Sequence, residues 1–155
     1  MTVGVIMTAQ SALRAAPDPV SFRMDRSIPR LFVTIDERAT GPGVAEALSG
    51  LYRAQPEVTR LDMLFALTGY RGVVTHEDLQ AIVAAYLESN RDPSHPCRTA
   101  FVTPDPHFHL WAAAMSYLFT GREHRVFTTH QAATTWLDEP MAERPQFTGE
   151  PVPGL

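Results

Sequence analysis

With 155 residues, 45% of them hydrophobic and 19% charged, the chain is long enough to bury one core and too apolar for intrinsic disorder. Its 13 basic residues against 17 acidic ones leave a net charge of -4, and the basic residues are scattered rather than striped, which argues against a nucleic-acid partner. The single cysteine, Cys97, excludes an internal disulfide or a cysteine metal knuckle and suits a reducing cytoplasm.

The first residues lack the charged head of a secretory signal, and the longest apolar helical stretch, near Phe108 to Phe119, is broken by His109 and Ser116 and falls short of a membrane span. Residues 1–19 follow no period and read as an N-terminal arm. Alternation over 20–25 and a β-branched, aromatic run over 31–36 predict a β-hairpin, with 26–30 as its turn. Pro42 then suits the first turn of a helix carrying Val44, Leu48, Leu51 and Tyr52, which Gly50 weakens by about 1 kcal/mol relative to alanine. The compact apolar run 61–67 predicts a strand covered on both faces.

A second helix opens on a capping box, Thr75 with Asp78, and lays Leu79, Ile82, Val83, Tyr86 and Leu87 along one side before ending near Asn90. A strand at 98–103 follows. Asp105 as cap and Pro106 in the first turn launch a third helix bearing Leu110, Trp111, Met115, Leu118 and Phe119, closed by Gly121 in a left-handed conformation. The last strand is expected at 124–128, with Thr128 and Gln131 as a capping box for a helix to Asp138. Residues 139–155 are proline-rich and read as a C-terminal tail. The resulting order, β-β-α-β-α-β-α-β-α over 20–138, predicts a single α/β domain with a mostly parallel five-stranded sheet and an antiparallel first strand.

That order, the strand over 99–105 leading into a helix of small and aromatic residues, the short strand at 125–127 and the closing helix through 132–137 resemble the STAS domain, the fold of anti-sigma-factor antagonists. The likeness is greater still to bacterial STAS/SEC14-like domains. It covers 20–138 and carries no catalytic motif, so it implies fold far more than activity. The resemblance also implies a phosphorylated Ser or Thr at the start of the second helix; here His76 stands at that place, leaving Thr75 as the candidate acceptor, with a plain helix cap as its other reading.

The loops at the carboxyl ends of parallel strands gather along one edge, the default ligand site of such a sheet. Four of the six histidines fall there, His76, His107, His109 and His130, together with Arg38, Tyr70 and Arg71. Arg38, Tyr70, Arg71, His76, His107 and His130 are the ligand-binding candidates. A divalent metal on the histidines with Asp36 or Asp105 is one reading, but His107 and His109 point about 200° apart on a helix, and solvated or capping roles explain the same residues. A small anion on Arg38 or Arg71 is a milder one.

No catalytic residue, metal site or cofactor is assigned, since nucleophile elbows, phosphate loops and zinc-protease signatures are missing and Cys97 reads as a shielded thiol. The leading expectation is a non-enzymatic cytoplasmic regulatory domain that binds a protein partner, itself included, as a homodimer with a tail against the partner. Two alternatives stand beside it: a carrier of a small lipid or anionic ligand, with an apolar pocket between the third helix and the sheet, and a metal-dependent enzyme at the histidine-rich edge.

Overall fold

The computed structural model describes residues 18–140 apart from 26, 91, 93 and 94. The arm at 1–19 and the tail at 139–155 therefore lie outside the described residues, save for 18–19 and 139–140. Strands β1 (Val20–Asp25) and β2 (Arg30–Ile35) form the hairpin, antiparallel with Val20 opposite Ile35. Its turn is set by Asp25, whose carboxylate accepts from both the backbone N–H and the hydroxyl of Ser27. Strands β3 (Asp62–Ala66), β4 (Cys97–Val102) and β5 (Arg122–Phe127) add in sequence order, each parallel to its predecessor, to give a five-stranded sheet.

Helices α1 (Gly41–Ala54), α2 (His76–Ser89) and α3 (Phe108–Leu118) make the three crossovers, and a short 3-10 turn at Pro56–Arg60 joins α1 to β3. Because the strand order never reverses, crossovers of one hand must all lie on one face. They share one core there, in which Leu31, Val33, Met63, Phe65 and Phe101 of the sheet meet Leu48, Ile82 and Met115 of the helices. Helix α4 (His130–Asp138) follows the edge strand and returns across the opposite face, burying Ala133, Trp136 and Leu137 on Leu64, Ala100 and Val102. Its C-terminal end is held by cations: Arg98 donates to the carbonyls of Trp136 and Glu139, and Arg30 pairs with Asp138 at 2.8 Å. No helix among the described residues is long and apolar enough to cross a membrane.

Several boundaries differ from expectation, each for a local reason. The cap of α4 is Thr129, which accepts from Ala132 N–H, rather than Thr128. Asp105 caps a preliminary turn by accepting from His107 N–H, so α3 starts at Phe108, later than the proline suggested, with no side-chain cap. β5 begins at Arg122, two residues before the expected start, and that arginine is buried. Leu87 on α2 and Leu110 and Leu118 on α3 are exposed, because each helix presents a narrower stripe to the sheet than its apolar content implied.

The capping box of α2 forms as the spacing required: Thr75 Oγ1 accepts from Asp78 N–H at 3.1 Å while Asp78 accepts from Thr75 N–H at 3.0 Å. Thr75→Ala removes one half of this exchange and is expected to lower stability by about 1 kcal/mol, read as a shift in the urea midpoint. An unchanged midpoint, with loss of a phosphorylated form in cells, would assign Thr75 to regulation instead.

Candidate functional site

α1 packs along α2, whereas α3 leans on β5 and makes no comparable contact with α2. The gap between α2, α3 and the sheet is a cavity of about 390 Å³. That is within the range of small-molecule sites, and at ~30 Å³ per water-sized group it has room for about thirteen. It runs along the strands: Thr103 lines it at the carboxyl end of β4 and Thr99 lies four residues deeper, about 13 Å at ~3.3 Å per residue. Phe65, Phe101, Phe108, Ile82 and Met115 make its walls apolar.

Exposed residues rim one end of the cavity and fully buried ones line the other. The mouth is formed by Tyr70, Arg71 and Val73 from the loop after β3, and by His107 and Trp111 at the start of α3. Trp111 is 38% exposed although Met115 and Phe119, one and two turns on, are buried; this side of α3 is in part a cavity wall. Tyr70 carries a buried hydroxyl without a hydrogen-bond partner among the described residues, and burial raises its pKa above the ordinary phenol value. The loop owes its position to Gly41 at the start of α1, where a Cβ would stand 2.1 Å from the Val73 carbonyl oxygen. Gly41→Ala is therefore expected to displace residues 72–74 and lower stability by about 1–3 kcal/mol. Faster amide exchange confined to that loop and the N-terminus of α1 checks it.

The floor is polar and fully enclosed. Arg122, 3% exposed, spends all five guanidinium N–H groups on neutral acceptors: the carbonyls of Thr59, Leu61 and Arg98, the hydroxyl of Thr99 and that of Tyr86. Among the described residues no carboxylate is one of its hydrogen-bond partners. Tyr52 is buried at the end of α1, and among the described residues its hydroxyl reaches only the sulfur of Met63, at 3.9 Å, a weak acceptor. Desolvation raises the Tyr52 pKa, so the phenol keeps its proton.

His124 lines the same floor, stacked on Phe101 and held at about pKa 3 by burial and by the Arg122 charge. Its Nδ1 lies 3.3 Å from Ser116 Oγ. The serine hydroxyl accepts from the backbone N–H of His124 at 2.9 Å and donates to the Ala112 carbonyl, and so depressed an imidazole is a poor proton acceptor at neutral pH. The pair ties α3 to β5. Cys97 is buried, its thiol pushed up by desolvation.

Of the residues singled out in the sequence, Tyr70, Arg71 and His107 meet at the mouth. Arg38 does not line the cavity; it folds back on Asp36, whose carboxyl it holds below the usual range, with 2.6 Å between Nη2 and Oδ2. His76 and His130 are the exposed first residues of α2 and α4 and do not line it. The metal reading loses its carboxylates, since Asp36 serves Arg38 and Asp105 serves the His107 backbone. Among the described residues no group of three His, Cys, Asp or Glu side chains is placed to hold a metal ion. Tyr52, Arg122 and His124 are not among the site candidates the sequence offers; the available signal is that Arg122, His124 and Val126 alternate along one strand and so face one side.

No protein-family model matches the chain, and comparison with curated proteins finds no match. Among solved structures it is similar to an uncharacterised protein of the DUF3478 family with a SpoIIAA-like fold from Shewanella loihica PV-4. The TM-score is 0.54 at 14% identity, over 76% of this chain and 91% of that one. Read with the strand order and the face shared by α1, α2 and α3, this likeness makes the fold SpoIIAA-like, that is, STAS-like.

Proposed function

We propose that this domain binds a small apolar or amphipathic molecule in the cavity between α2, α3 and the sheet, and holds it without transforming it. The observation that carries the reading is the cavity itself: about 390 Å³ of apolar-walled space reached from the ligand edge of a parallel sheet. A void of that size left empty costs the surrounding side chains their packing partners, whereas an occupant restores them. Binding therefore takes precedence here over the protein-partner reading that the sequence put first.

The test is titration of the full chain with 1-aminoanthracene, a neutral apolar fluorophore, alongside Ile82→Phe, which adds bulk to the cavity wall. One saturable site that the substitution removes while the fold is retained supports the reading. Equal binding by both chains, or none by either, rejects it. A second reading, self-association through α3, is favoured by Leu110 and Tyr117, which are 76% and 85% exposed on that helix. Light scattering of the full chain and of Tyr117→Arg decides it: a dimer that the substitution dissociates supports it, and a monomeric parent chain rejects it.

A further inference from the structure

Apolar walls explain why a hydrocarbon would enter the cavity, but the floor is built otherwise. A guanidinium charge taken out of water is costly unless an opposite charge accompanies it, and neutral acceptors satisfy its hydrogen bonds without neutralising it. Arg122 is in that condition. Beside it Tyr52 presents an O–H whose one partner among the described residues is a thioether, although buried phenols ordinarily find an oxygen. The two are linked through Tyr86, whose ring lies 5.5 Å from the Arg122 guanidinium and 5.5 Å from the Tyr52 ring. Thr99, the remaining polar side chain at this depth, is already taken by Arg122. His124 is neutral and supplies no counter-charge.

Resting on the cavity reading above, we propose that the ligand is a single-chain carboxylic acid bound head-inward: its carboxylate accepts the Tyr52 O–H and offsets the Arg122 charge at the floor, and its chain runs out between Phe65, Phe101 and Phe108 toward Trp111. Capacity sets the length. Room for about thirteen water-sized groups suits a carboxylate of roughly ten carbons, with longer chains emerging at the mouth. Arg71 and His107 then line the exit, where the free end of the chain meets solvent, and play no part in holding the head.

Displacement of 1-aminoanthracene from the full chain by decanoate, 1-decanol and methyl decanoate tests this. Decanoate is expected to bind about tenfold more tightly than the other two, the difference one charge-assisted hydrogen bond makes. Tyr52→Phe should reduce that preference to less than about twofold, and Arg71→Gln should leave it intact. Equal affinity of the parent chain for decanoate and decanol overturns the carboxylate assignment while the cavity reading stands. A preference that survives Tyr52→Phe and disappears with Arg71→Gln places the head at the mouth and overturns the inward orientation. Failure of all three compounds to displace the fluorophore overturns the chain-ligand class, and failure of the fluorophore itself to bind rejects the cavity reading.

Discussion

Arg122→Met is expected to lower stability by at least about 3 kcal/mol, the largest effect of any single substitution considered for this domain. The reason lies in what the arginine leaves behind. Replacing a buried ion pair by apolar side chains can be neutral when both partners are removed together, but the partners of Arg122 are mainly backbone carbonyls, of Thr59, Leu61 and Arg98, and these cannot be substituted away. Each buried acceptor left without a donor costs about 1–3 kcal/mol, and three are at stake. Relief from desolvating the guanidinium offsets part of this. Arg122→Lys keeps the charge but concentrates its donors at one point, so it should recover only a fraction. Urea unfolding followed by circular dichroism reads both; a methionine variant within about 1 kcal/mol of the parent would show that water replaces the lost donors.

The same arginine marks where sequence reasoning stops. Elements whose signals are local were legible: the capping box of α2 needs only Thr75 and Asp78 three residues apart, and the hairpin needs only alternation and a turn. The parallel sheet followed from strands alternating with helices. Arg122 and Glu123, coming after Gly121 with its positive φ, look like the polar end of a turn, and nothing nearby announces that carbonyls some sixty residues earlier will accept the guanidinium. The start of α3 was misplaced because Asp105 and Pro106 suit an isolated turn as well as a helix start; the choice was made by packing of Phe108 against Phe101.

The candidate site was partly legible for the same reason. Tyr70, Arg71 and His107 were found by topology alone, since loops after parallel strands share an edge. The histidines on that edge looked like a cluster only because the sequence shows which edge a residue occupies and not where along it. The cavity required knowing that α3 leans on β5 and away from α2, which no periodicity records. An apolar helix face packed on a sheet and one lining a void have the same spacing, and Met115 belongs to both.

Acid should destabilise this protein at pH values where carboxylates are still ionised, and His124 is the expected cause. Folded, its pKa is held to about 3 by desolvation and by the Arg122 charge; unfolded, it returns to the ordinary value of about 6.5. Between those two values the unfolded chain binds a proton that the folded chain refuses, so stability is full above pH 6.5 and falls as the pH drops through the window, by about 1.4 kcal/mol per unit. From pH 7 to pH 5 the loss is about 2 kcal/mol, confined to the range below 6.5. The depressed carboxyls of Asp25 and Asp36 act in the same direction but only nearer their own ordinary value of 3.8, which leaves the upper part of the window to the histidine. His124→Phe keeps an aromatic ring on Phe101 and leaves Ser116 bonded to the backbone of residue 124 and to Ala112, while removing the titrating group. Urea midpoints at pH 7, 6 and 5 should therefore decline for the parent chain and stay level for the variant. Equal declines in both would transfer the acid sensitivity to another group and leave the buried imidazole with a packing role alone.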